Sequence, residues 1–388
     1  MKKIPYGKHK IFNNDIEYVS KVLKSSSITQ GKIVEKFSDK IAKFVGSKYA
    51  VAVSSGTAAL HSAVACLDLK KGDEVITTPL TFCATANAVL YEGGEVKLAD
   101  IDINNLNIDP TEVEKKITKK TKAIIAVDFR GHPSNLVKIN KIAKKYNLKV
   151  IEDASHSLGS KYSHNEKIFK CGDCKHVDMA TFSFHPVKHI TTGEGGMITT
   201  NNKKIFDKLN LFRKHGIQRS NKMFSKKKQI GKWYYDMEFL GYNYRLTDFQ
   251  SALGISQLKN LNNFIKRRRS IVNYYNSNLK NISQLILPYE EKNVNSNFHL
   301  YSLQIKNHKK KNRYSLFNYL INNNYSPMVH YIPIHYLKYY KDRYNFKKGD
   351  FKNSELFYSR TISLPLFPTM KDQEVEKVVI DIKRFFKN

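Results

Sequence analysis

Between about residues 47 and 200, short apolar, β-prone runs alternate with stretches of helical spacing, and nothing else in the chain restricts the fold as much. Tyr49 to Val53 is strand-like, SSGT breaks it, and Ala58 to Leu67 reads as helix. Val75 to Thr77 is a strand followed by the small-residue helix ATANAVL. Ala123 to Val127 is another strand, and Asn135 to Tyr146 places apolar residues at helical spacing. A further strand ends at Glu152-Asp153, and Thr181 to Phe184 forms one more before HPVK. Strands separated by helices predict a mainly parallel sheet covered on both faces. Ligands of such sheets sit at the carboxyl ends of the strands.

Beyond about residue 250 the texture changes. The segment TDFQSALGISQLKNLNNFIKRRRSIVNYY reads as one long helical stretch, followed by strands near Phe298 to Ile305 and Pro327 to Tyr331. Val375, Val378, Val379, Ile382 and Phe386 share one face of a closing amphipathic helix. The expected division is a large α/β domain over 1–250, with an N-terminal arm, and a smaller α+β domain over 251–388.

Composition narrows the function. A 41% hydrophobic and 12% aromatic chain can bury a sizeable core, so disorder is not expected. The net charge of +32 first suggests nucleic acid. Yet the lysines run along the whole chain among asparagines, tyrosines and isoleucines, with no concentrated patch. The expected effect is attraction of an anionic small substrate, with no nucleic acid as partner. The first residues lack a signal-peptide pattern, and no apolar run reaches the roughly 18 residues of a membrane span. A cytoplasmic location follows as an expectation. The lone CxxC at Cys171 and Cys174 lacks the second ligand pair of a structural zinc site. It reads as an ordinary surface loop, with no metal expected.

Three motifs stand at strand ends. Ser54-Ser55-Gly56-Thr57-Ala58 opens a helix, where free amides and hydroxyls cradle an anion, or where a serine simply caps the helix. Asp153, in Glu152-Asp153-Ala154-Ser155-His156, is either a carboxylate for a pyridinium nitrogen or another cap. Lys188, in FSFHPVK before TTGEGG, lies between a strand and a glycine-rich turn with apolar neighbours. Partial desolvation there favours the neutral amine needed for imine exchange.

In series, SSGT, Thr81-Phe82, EDASH, FSFHPVK with TTGEGG, and GYNYRL resemble the DegT/DnrJ/EryC1/StrS sugar aminotransferases over nearly the whole chain. The resemblance is closest to the branch that makes UDP-4-amino-4,6-dideoxy-N-acetyl-β-L-altrosamine, a precursor of pseudaminic acid. It implies the aspartate-aminotransferase-like fold and pyridoxal 5'-phosphate, alternating with pyridoxamine phosphate, as cofactor. It implies L-glutamate and a UDP-linked keto-sugar as substrates, and a homodimer with shared sites. Lys188 then forms the Schiff base, Asp153 pairs the pyridine nitrogen, and His156 sits by the phenolic oxygen. Phe82 stacks on the ring. Gly56, Thr57, Ala58 and Ser183 hold the phosphate, with Asn243 supplied by the neighbouring subunit. Tyr6, Thr29, Val329, His330 and Tyr331 resemble substrate-side positions. Two stretches, Asn165 to Lys175 and Ser220 to Lys232, depart from the family pattern and are expected to border the substrate entrance. A sugar-deoxygenating relative carries histidine in place of the lysine, so Lys188 argues against it. A non-catalytic, cofactor-binding regulator would need a broken site, and none is evident.

Overall fold

The structure is a computed structural model that describes residues 3–218, 233–306 and 310–387. The basic stretch Ser220 to Lys232 lies outside the described residues. A seven-stranded sheet organises the N-terminal two thirds. Its strands are β1 (Tyr49–Val53), β2 (Glu74–Thr77), β3 (Glu95–Leu98), β4 (Thr121–Val127), β5 (Lys149–Asp153), β6 (Met179–Ser183) and β7 (Gly196–Thr200). In space they lie in the order β1-β7-β6-β5-β4-β2-β3. β7 runs antiparallel to both its neighbours, and every other pair is parallel. Parallel strands covered on both faces read as continuous apolar runs, as in β4, where Ala123 to Ala126 are fully buried. β3 and β7 do not emerge from the sequence reading. EVKL is short and half polar, and GMITT follows a glycine turn with two threonines.

The flanking helices follow from their apolar stripes. Of α1 (Asn13–Leu23) and α2 (Lys32–Val45), the second buries Val34, Phe37, Ile41 and Val45 and stops at Gly46, whose φ of 92° suits glycine. Asp248 accepts from the Gly31 and Ile33 amides at 2.7 and 3.0 Å, so a buried carboxylate caps the start of α2. α3 (Gly56–Ala65) and α4 (Ala84–Tyr91) are built of small residues and pack close to the sheet.

The long helical stretch after Thr247 is two helices, Asp248–Leu258 and Leu261–Leu279. Lys259 and Asn260 donate to the carbonyls of Ser256 and Gln257, tightening the last turn and allowing a change of direction. A three-stranded antiparallel sheet, Leu285–Ile286, Tyr301–Ile305 and Thr361–Leu364, carries the second core. The final helix, Asp372–Lys387, lays Val375, Val378, Val379, Ile382 and Phe386 on that core. Two expected strands are shorter than their apolar runs. Phe298 has φ 49°, so pairing starts at Tyr301. The regular strand near Pro327 ends at Tyr325–Ser326, because proline has no N–H for the ladder; beyond it Met328 makes a single bridge to Ser363, and the rest of Pro327 to Tyr331 is loop. Ile4–Pro5 runs parallel to Tyr325–Ser326, which ties the N-terminal arm to the C-terminal sheet region.

Candidate active site

The carboxyl ends of β5 and β6 and the start of α3 converge on one cavity of about 580 Å³. Ser55 caps α3, its Oγ accepting from the Ala58 amide at 3.0 Å. The Gly56 and Thr57 amides, first in the helix, have no acceptor within it, and both residues line the cavity. A Cβ on Gly56 would lie 2.7 Å from the Ser183 Cβ, so only glycine lets the helix start meet the end of β6 this closely. The cap and an anion cradle are thus compatible uses of one turn.

Asp153 is the buried carboxylate of the cavity. Its Oδ2 accepts from the Thr85 hydroxyl at 2.7 Å, and its Oδ1 accepts from the Ser155 hydroxyl at 2.6 Å and amide at 3.2 Å. Thr85 in turn bonds Thr81 at 2.8 Å, so α4 and the loop before it hold the carboxylate in place. Strand alternation sends Glu152, one residue earlier, away from the cavity, where its Oε2 accepts from the Gly172 amide.

Lys188 sits in a turn closed by backbone bonds. Phe184 donates to the Gly195 carbonyl, Thr192 donates to the Phe184 carbonyl, and Lys188 donates to the His185 carbonyl. The TTGEGG stretch therefore folds back over the end of β6. The lysine is half-buried, and burial lowers its ammonium to about 8, with Asp153 opposing the shift. The imidazoles of His156, His189, His299 and His330 are all held neutral, by burial first and by neighbouring cations second. Phe82 leaves 57% of its surface open although it is a large apolar ring, and it lines the cavity.

Gly56, Thr57, Phe82, Asp153, His156, Ser183 and Lys188 thus share the cavity with Tyr6, Val329, His330 and Tyr331. Ala58 does not line it: its side chain is buried and its amide is used by the cap. Thr29 and Asn243 are exposed and lie outside it. The Tyr244 carbonyl next to Asn243 accepts from Ser54, which fastens GYNYRL to the end of β1. Thr85, His189, His299 and Glu194 were not singled out from sequence. Thr85 was visible only as part of a small-residue helix, and His299 comes from a distant segment without a motif. Nor does any residue from Asn165 to Lys175 line the cavity, contrary to expectation. Cys171 and Cys174 are buried instead of lying on a surface loop. Gly172, at φ 87°, turns the chain in against Phe182.

This donor set fits a planar, phosphate-bearing cofactor. Two free helix amides and a serine hydroxyl meet an anion, an open aromatic face meets a ring, and a fixed carboxylate faces a half-buried lysine. Comparisons agree. The DegT/DnrJ/EryC1/StrS aminotransferase family model matches residues 9–383. The UDP-4-amino-4,6-dideoxy-N-acetyl-beta-L-altrosamine transaminase of Campylobacter jejuni subsp. jejuni serotype O:23/36 is 36% identical over 393 residues, covering 97% of this chain and 95% of the relative. The GDP-perosamine synthase of Escherichia coli O157:H7 is 34% identical over 388 residues, covering 100% and 99%. Among solved structures, Helicobacter pylori PseC, an aminotransferase involved in the biosynthesis of pseudoaminic acid, superposes with a TM-score of 0.90 at 31% identity and covers 100% of both chains. The α/β architecture expected from the strand pattern is the one these aminotransferases have.

Proposed function

The chain belongs to the DegT/DnrJ/EryC1/StrS aminotransferase family, and from that premise we propose that it moves the amino group of L-glutamate to C4 of a UDP-linked 4-keto-6-deoxy-N-acetylhexosamine. The product is UDP-4-amino-4,6-dideoxy-N-acetyl-β-L-altrosamine. At the coarser level the chain is a pyridoxal-phosphate-dependent aminotransferase of nucleotide-linked sugars. One observation carries the reading: a half-buried lysine, lowered to about 8, shares a cavity with a carboxylate held by three hydrogen bonds.

The residues divide the work. Pyridoxal phosphate, when bound, would supply the electron sink for proton loss from carbon. The Gly56 and Thr57 amides and the Ser183 hydroxyl would hold the phosphate, and Phe82 would lie against the ring. Asp153, unable to turn away from Thr85 and Ser155, keeps the pyridine nitrogen protonated. Lys188 Nζ would take the proton from Cα of glutamate and pass it to the cofactor carbon in the first half, and in the second half would take one back from that carbon and give it to C4 of the sugar. A lysine near 8 has enough free amine for this at neutral pH. Asn243, exposed and outside its own cavity, reaches the phosphate of the partner's site in a homodimer.

Purified protein incubated with L-glutamate and UDP-, GDP- or dTDP-linked 4-keto-6-deoxy sugars, followed by mass spectrometry, tests the substrate. Amination of the UDP-N-acetyl sugar above the others is expected. Preference for the GDP sugar would replace this reading with perosamine-type chemistry, to which the 34% identical relative points.

A further inference from the structure

Tyr331 enters the cavity from the loop after Pro327, and its hydroxyl lies 3.1 Å from Nε2 of His156. Its ring neighbours are His330 at 5.0 Å, Phe82 at 6.1 Å and Phe129 at 6.2 Å between centroids, and Tyr6, Cys83 and Asp153 also lie near its hydroxyl. His156 is buried, and the His299 ring lies 4.3 Å from its own at 31°, which fixes the plane of the imidazole. On the far side of the His156 ring, Nδ1 is buried and has no partner among the described residues.

These contacts decide where the single proton of a neutral imidazole sits. A phenol is the more acidic donor and an imidazole nitrogen the more basic acceptor, so the stronger arrangement is O–H to Nε2. The reverse arrangement would leave the phenol proton without an acceptor, because His156 is the one hydrogen-bond partner of the Tyr331 hydroxyl among the described residues. We propose that Tyr331 is a positioning residue that donates to Nε2 of His156, fixes the Nδ1–H tautomer, and leaves Nδ1–H as the donor for an anionic oxygen of the bound ligand. Buried N–H groups without acceptors are rare, so this one marks a place where a ligand supplies the acceptor. That the acceptor is the phenolic oxygen of pyridoxal phosphate rests on the function proposed above; the tautomer does not.

The groups facing His156 support a neutral ring. They are Lys188 and His189 from the turn after β6, His299 from the segment before Tyr301, and His330 and Tyr331 from the cavity loop. Burial, and after it the Lys188 ammonium, keep His156 well below the ordinary histidine range.

Isotope-edited NMR of labelled histidine nitrogens tests the assignment, with His156→Gln identifying the signals. In the wild type, with and without cofactor, Nδ1 should be protonated and Nε2 bare. Tyr331→Phe should move the tautomer ratio about tenfold toward Nε2–H, the effect of one ordinary hydrogen bond. In the holoenzyme the same variant should show a changed pH midpoint of its visible band. A wild-type spectrum with the proton on Nε2 overturns the proposal, whether or not the variant folds. An unchanged ratio in folded Tyr331→Phe also overturns it. If the cofactor proves not to bind, the cofactor-free spectrum still decides the tautomer, and only the identity of the ligand oxygen is lost.

Discussion

Asp153 cannot rotate without losing bonds from Thr85 and Ser155, so Asp153→Asn changes charge more than shape. Preorganised electrostatic stabilisation of this kind is worth about 3–4 kcal/mol, so turnover should fall roughly a hundred- to a thousand-fold while cofactor occupancy stays high. Steady-state kinetics beside cofactor absorbance checks this, and turnover within a few-fold of wild type would make Asp153 a structural cap. Lys188 gives a pH prediction. Its ammonium is lowered from 10.5 to about 8, so the free amine is the minority below that pH and predominates above it. The rate at which cofactor-free protein captures pyridoxal phosphate should rise with pH, pass half its maximum near 8 and level off above that. A rate still climbing toward 10.5 would mean an ordinary exposed lysine. Both residues were legible in sequence because Asp153 closes a strand and Lys188 follows one, each inside a recognisable motif. Thr85 and His299 were not: their roles depend on side chains that only the folded sheet brings together.

At the level of elements, the start of α3 packs closely against the end of β6. Gly56→Ala would place a Cβ 2.7 Å from that of Ser183, so backbone must shift. We expect a stability loss of about 1–3 kcal/mol in denaturant unfolding. Cofactor titration should show binding weakened about tenfold, a change of about 1.4 kcal/mol. Unchanged binding would place the phosphate elsewhere. Buried parallel strands such as β4 were readable as apolar runs, and the closing helix was readable from its stripe. Boundaries failed where backbone chemistry overrides hydrophobic pattern. Lys259-Asn260 breaks a continuous helical texture, and Phe298 and Pro327 cut short apolar segments that otherwise read as strands.

For the whole molecule, the proposed sharing of sites in a homodimer turns on Asn243. Asn243 is exposed, yet its neighbour Tyr244 is tied to the cradle strand through Ser54. If each site borrows Asn243 from a partner, inactive Lys188→Ala and Asn243→Asp proteins should complement when refolded together. A hybrid dimer holds one doubly damaged site and one intact site. Random pairing then recovers up to about a quarter of wild-type activity in a two-fold dimer. No recovery from confirmed hybrids would confine Asn243 to its own subunit. This contact was open to sequence only through the family resemblance, because a residue on the outside of its own chain leaves no local pattern.

Lys188 is the residue on which everything else depends. Borohydride reduction of the purified, yellow protein, followed by peptide mapping, should find the pyridoxyl label on the peptide carrying Lys188 and on no other lysine. A label on another lysine, or a protein that binds no pyridoxal phosphate, would contradict the account.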